Sequence, residues 1–274
     1  MNAPRRQCIF CHNPVDSKEH IWSRWMHPFL AEGDERTNYN RHTISREPDG
    51  SEELTGPTGK PGGVFDIQVR EVCRPCNQGW MNDREQTVRP FLEPMLKGEA
   101  ITITPEQMAE LARWCAQKFI VMEHAARGTA LTPRPDREAL RTSDQIPPYF
   151  RIYVGNHVSK SHSASKRNSH TLALSADGPV PRLNGMDRNI QTISLVVGKL
   201  FIHLNAARVD GFDFEGTYFV SRVWDECRIW PDPNSSHSWP HRPFLDNAGL
   251  STMSAGIERI GQSEKVTWLA KQVN

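Results

Sequence analysis

Four cysteines stand in two C-x2-C pairs, Cys8-Ile9-Phe10-Cys11 and Cys73-Arg74-Pro75-Cys76, with 61 residues between Cys11 and Cys73. A pair at this spacing turns the chain so that both sulfurs face one ion. Two pairs supply the four thiolates that a tetrahedral structural zinc takes. The gap is longer than an ordinary zinc ribbon's, and a purely structural zinc satisfies the same spacing. Glu19-His20 follows the first pair and Asn77 follows the second directly. Zinc joining the pairs would therefore bring a carboxylate, an imidazole and an amide oxygen to one place. Those groups can move a proton and hold a hard cation.

Composition sets the bounds for that chemistry. The 274 residues carry 33 Lys+Arg against 32 Asp+Glu, so net charge makes no general case for a polyanionic partner. Residues 151–188 are locally basic, with Arg151, Lys160, Lys166, Arg167, Arg182 and Arg188 against Asp177 and Asp187. The polar stretch from Ser159 to His170 reads either as a loop that tracks a nucleic-acid backbone or as a solvated hairpin loop. No apolar run approaches the ~20 residues of a membrane span. Met1-Asn-Ala-Pro-Arg-Arg-Gln-Cys8 has no apolar segment behind its arginines, which makes the cytoplasm the expected compartment. Without such a leader, paired cysteines point to metal rather than to disulfides. Cys115 and Cys227 are expected in the core, and His12 as a solvated loop residue beside the thiols. His237 and His241 have no cysteine or acidic partner at ligand spacing.

The elements that must position these groups follow from periodicity. Trp22, Trp25, Met26, Phe29 and Leu30 fall at helical offsets. Residues 31–63 are polar and rich in Gly and Pro, which predicts a loop with at most a minor hairpin. Val64 to Val69 alternates as a strand that enters the second cysteine pair. A helix is expected from Asn77 to about Val88, with Pro90 and Pro94 bracketing its end. Thr104-Pro105-Glu106-Gln107 is a capping box, and Met108, Leu111, Ala112, Cys115, Phe119 and Met122 carry that helix to about Ala126. Strands are expected at Tyr149–Val154, His170–Ser175, Ile190–Val197, Lys199–Asn205 and Val220–Trp230, and a last short helix at Glu264–Lys271. The expected organisation is α+β in two units, 1–95 and 104–274, linked near 95–104.

Cys8-x2-Cys11, Glu19-His20-Ile21 and Cys73-x2-Cys76-Asn77-Gln78-Gly79-Trp80 together resemble the zinc-knuckle variety of the HNH endonuclease family. The resemblance covers about residues 5–93. It implies a treble-clef ββα-metal module with a structural zinc on Cys8, Cys11, Cys73 and Cys76. It also implies hydrolysis of DNA phosphodiesters, with His20 as general base and Mg²⁺ or Mn²⁺ on Glu19 and Asn77. Gln68 falls where the family carries an Asn that orients the base, one methylene longer. A zinc-bearing nucleic-acid-binding module without hydrolysis is the alternative, and Gln68 is the feature that favours it.

Overall fold

The computed structural model describes residues 6–29, 38–46, 52–61, 67–125, 130–158, 163–174, 189–209, 227–231, 236–240, 244–246, 248–249, 252 and 266–269. β1 (Glu19–His20) is followed by a short 3₁₀ helix at Arg24–Phe29, with Met26 buried, inside the stretch whose apolar residues fall at helical offsets. β2 (Asn38–Arg46) and β3 (Glu52–Pro61) then pair antiparallel, so the segment expected as a loop holds a long hairpin. The register shifts between Arg41, opposite Thr58, and Thr43, opposite Thr55. Gly56 and Pro57, read as loop signals, are absorbed in that irregularity, as a bulge permits. Residues 64–66 of the expected strand lie outside the described residues. β4 (Gln68–Val69) runs antiparallel to β1, with His20 opposite Gln68 and Glu19 opposite Val69.

The chain then enters α1 (Arg74–Cys76), a π turn at Asn77–Met81, and α2 (Asn82–Lys97). Both Pro90 and Pro94 lie inside α2, contrary to the helix end expected before them. The apolar stripe decides this. Val88, Phe91, Leu92, Met95 and Leu96 are buried, each contributing roughly 1.5–3 kcal/mol. Together they outweigh ~3 kcal/mol for each interior proline. Gly98, at φ +77°, ends the helix, and the Gly98 and Glu99 N–H groups donate to Met95 O and Pro94 O.

β5 (Ile101–Ile103) occupies the segment expected as a linker and pairs with a strand far along the chain. α3 (Pro105–Glu123) starts on the expected capping box: Gln107 N–H donates to Thr104 Oγ1 at 3.3 Å, and Thr104 N–H to Gln107 Oε1 at 2.9 Å. α4 (Arg134–Ser143) has no counterpart among the expected elements.

The second half is a sheet of β6 (Phe150–His157), β7 (Ser163–Leu174), β8 (Ile190–Val197), β9 (Leu200–Ala207) and β10 (Arg228–Trp230), with β11 (His237–Trp239) paired to β5 instead. β12 (Phe244–Leu245) runs parallel to β6, and β13 (Val266–Leu269) pairs antiparallel with β7. The order is β10-β6-β9-β8-β7-β13. Two expectations are corrected here. Residues 266–269 form a strand, not a helix, because Val-Thr-Trp-Leu favours extended chain and β7 offers an open edge. Residues 163–170 are paired strand from Ser163 opposite Val197 to His170 opposite Ile190, so most of the basic stretch is not a loop. Residues 220–226 of the expected strand before Trp230 lie outside the described residues.

One hydrophobic core runs from Cys8 and Phe10 through α2 and α3 to Ile152, Leu195, Leu204 and Trp239. At its far end Glu123 is buried, where it accepts from Leu131 N–H, from Thr132 N–H and Oγ, and from Gln191 of β8. The tight turn between β8 and β9 docks onto α2 through Lys199 N–H and Leu96 O, 2.9 Å apart. Gly198 holds φ +55° there, and a Cβ would lie 2.4 Å from Leu96 O. Gly198→Ala is therefore expected to cost about 2–4 kcal/mol, combining left-handed strain with a forced backbone shift. Urea unfolding of the variant checks it, and an unchanged midpoint contradicts it. Among the described residues no helix is long and apolar enough to cross a membrane.

Candidate functional site

The two cysteine pairs meet. Short backbone bonds hold them, from Ile9 N–H to Glu71 O at 2.9 Å and from Ser17 N–H to Val72 O at 3.3 Å. All four Sγ atoms of Cys8, Cys11, Cys73 and Cys76 lie within 4.8 Å of one another. Cys11 Sγ is 3.5 Å from Cys73 Sγ and 3.6 Å from Cys76 Sγ. A tetrahedron with zinc–sulfur bonds of ~2.3 Å has edges of ~3.8 Å, so the set fits a four-coordinate ion such as zinc. Phe10 N–H points at Cys8 Sγ (3.5 Å) and Asn13 Nδ2 at Cys73 Sγ (3.9 Å), as donors to thiolates do. The hydrogen bond from Cys76 lowers the Cys8 thiol to about 4, and the same contact pushes the Cys76 thiol up. A cation among the sulfurs would favour the thiolate form at all four. His12 is exposed, 3.4 Å from Glu138, and outside the thiol set. Among the described residues these four cysteines are the metal-ligand cluster. Cys115 and Cys227 are buried, as expected, and burial pushes the Cys115 thiol up.

The knuckle is clasped from outside by α4. Arg134 donates to Cys11 O at 3.0 Å and Cys8 O at 3.2 Å, and Arg141 to Phe10 O at 2.9 Å. These bonds satisfy loop carbonyls that have no secondary-structure partner. Phe10 meets Trp80 edge-on at 5.0 Å, and the Arg84 guanidinium lies 4.9 Å over the Trp80 ring. Trp22 is buried, while Trp25 and Trp80 pack against the core, so all three tryptophans take the expected packing role.

Beside the thiols, the β1–β4 pair sets His20 Nε2 2.7 Å from Gln68 Nε2. Both side chains of this contact reach the surface: His20 is half-buried and Gln68 exposed. Burial, and then the charge of Arg24, hold the imidazole below its ordinary pKa, so it is neutral near pH 7. Asn77 sits in the π turn directly after Cys76. Its Nδ2 donates to Ser17 Oγ at 3.2 Å and Lys18 O at 3.0 Å. Those bonds fix which end of the amide is nitrogen and hold that nitrogen against the two residues that precede Glu19.

Glu19 turns the opposite way from His20, as neighbours on a strand must. It is 8% exposed, and its Oε1 accepts from Lys118 Nζ of α3 at 2.8 Å. Lys118 is 2% exposed and also lies 3.3 Å from Glu85 Oε2, 3.3 Å from Ser23 Oγ and 3.4 Å from His20 O. Glu85 in turn accepts from Trp25 Nε1 at 2.9 Å and from Ser23 Oγ. Burial alone drives the Lys118 ammonium down, but Glu19 and Glu85 outweigh it and leave its pKa raised. The structure thus joins His20 to Gln68 and Asn77 to the start of β1, and it commits one oxygen of Glu19 to the core. Lys118 escapes sequence reasoning, though a signal exists. It lies three residues after Cys115 and seven after Leu111, on the apolar face of its helix, where a lysine needs a buried anion.

Comparison with protein-family models, with curated proteins and with solved structures returns no match for this chain.

Proposed function

We propose that the chain is a metal-dependent DNA endonuclease of HNH type, built on a treble-clef ββα-metal module stapled by zinc. The observation that carries this is the contact of His20 with Gln68 on two strands held beside a four-thiol cluster. A neutral imidazole within hydrogen-bond reach of a side-chain amide is equipped to take a proton from water. In the structure Gln68 Nε2 faces His20 Nε2; a half-turn of the amide puts its oxygen there instead, so that Nε2–H donates to it and Nδ1 carries the lone pair. Nδ1 then accepts the proton of the attacking water, whose oxygen forms the new bond to phosphorus. The bond to the 3′ oxygen breaks and that oxygen takes a proton from solvent water, leaving a 5′-phosphate and a 3′-hydroxyl.

Glu19 and the Asn77 carbonyl are hard oxygen donors of the kind Mg²⁺ or Mn²⁺ takes. Glu19 and Asn77 would hold such an ion, which when bound would polarise the scissile phosphate and offset charge on the leaving oxygen. Zinc on Cys8, Cys11, Cys73 and Cys76 contributes to the fold rather than to the reaction.

Supercoiled plasmid incubated with the purified chain tests this. Relaxation to nicked or linear DNA in Mg²⁺ or Mn²⁺, and none in EDTA, is expected. DNA that stays supercoiled overturns the endonuclease. One observation favours a non-catalytic zinc-bearing nucleic-acid-binding module instead: Lys118 already neutralises the acid that an ion would need. For such a module the plasmid is retarded on a gel but never cut.

A further inference from the structure

The ammonium that grips Glu19 comes from α3, 99 residues away and outside the stretch that resembles the nuclease family. A lysine buried to 2% exposure needs its charge matched, and here two carboxylates and a hydroxyl surround it. The two carboxylates differ in their remaining partners. Glu85 has both oxygens engaged, Oε1 by Trp25 and Oε2 by Ser23 and Lys118. Glu19 has Lys118 on Oε1, and among the described residues no hydrogen bond to Oε2. Glu85 is therefore the fixed counter-ion that keeps Lys118 in place, and Glu19 is the acid with an oxygen to spare. Because Lys118 also reaches His20 O at 3.4 Å, it ties down both residues of β1 at once.

We infer that Lys118 is a positioning residue for the divalent ion. By holding Glu19 Oε1, it aims Oε2 as a single-oxygen ligand and keeps the carboxylate from swinging away. This rests on the endonuclease proposal, since it assigns Glu19 to that ion. It also makes the site a joint product of the two halves of the chain, because α3 provides the group that sets β1. An ammonium beside a ligand carboxylate lowers the negative charge that attracts a cation. Its benefit must then come from orientation, and charge and orientation are separable by mutation.

The double substitution Lys118→Met with Glu85→Gln separates them in the full-length chain. It removes one cation and one anion, so the formal charge around Glu19 is unchanged and only the grip on Oε1 is lost. Titration of Mn²⁺ into the DNA-free protein, followed by the electron paramagnetic resonance signal of the free ion, reads the affinity directly. The half-saturating Mn²⁺ for plasmid nicking reads it a second time. Both are expected to rise at least tenfold in the double variant, at unchanged zinc content. Lys118→Arg, which keeps a buried cation donor, is expected to stay within threefold of the unmodified chain. Mn²⁺ affinity within twofold of the unmodified chain in a folded double variant overturns the inference, because a purely structural lysine would alter melting but not ion binding. Where the methionine variant does not fold, Lys118→Gln with Glu85→Gln replaces it. Its amide gives Glu19 a weaker, neutral bond, so a three- to tenfold loss is expected and no loss overturns the inference. An unmodified chain that neither binds Mn²⁺ nor nicks DNA removes the endonuclease itself. Nicking retained with undiminished Mn²⁺ affinity in the variants removes only the role of Lys118.

Discussion

Replacing Cys73 and Cys76 by serine is expected to give a chain that purifies without zinc and is unfolded around both knuckles. Structural zinc contributes on the order of 10–16 kcal/mol of apparent binding free energy in small zinc domains, and that energy is folding energy. A whole domain commonly has a net stability of only ~5–15 kcal/mol, so nothing local replaces it. The backbone around the knuckles shows why. Between Gln7 and Lys18 regular structure is confined to a single bridge, Gln7 with Pro14, while Cys8 and Phe10 are buried deep in the core. The arginines of α4 hold the loop carbonyls, but they act on a loop shape that the thiolates must first impose. Hydrogen exchange and metal analysis check the expectation. A zinc-free double variant with undiminished protection at Ile9 and Ser17 contradicts it.

His20→Ala is expected to lower plasmid nicking by about 10²–10⁴-fold, the usual contribution of a positioned general base. Zinc content and melting should hardly change, because the ring is half-buried and its hydrogen-bond partner, Gln68, is exposed. Separation of the two effects is what distinguishes a base from a packing residue. A variant that cuts as fast as the unmodified chain contradicts the assignment, whatever its stability. A variant that loses zinc along with activity shows instead that His20 supports the fold.

The thiol set is legible in sequence because its information is local: two short loops, each with two sulfurs at fixed spacing, can share one ion. His20 and Gln68 stand out in the sequence only through the family resemblance, which implies a role for each. Glu19 shows where that logic stops. Its place on β1 is readable, but its partner Lys118 lies on another helix, and a lysine in an apolar stripe looks local until its anion is found. The helix α4 is hidden differently. Leu140 is its one buried residue among those described, and its attachment depends on arginines that meet backbone carbonyls, which have no sequence signature. Prolines mislead in the opposite direction. Pro90 and Pro94 are strong stop signals by themselves, and only the tertiary burial of five apolar neighbours overrules them. The β2–β3 hairpin is masked likewise by Gly56 and Pro57, which a register shift accommodates.

X-ray absorption at the zinc edge of the freshly purified chain tests most directly whether sulfur-bound metal organises this protein. One zinc per chain, ringed by four sulfurs at ~2.3 Å, is the predicted result. A folded chain without zinc, or zinc held by oxygen or nitrogen in place of these sulfurs, would contradict it.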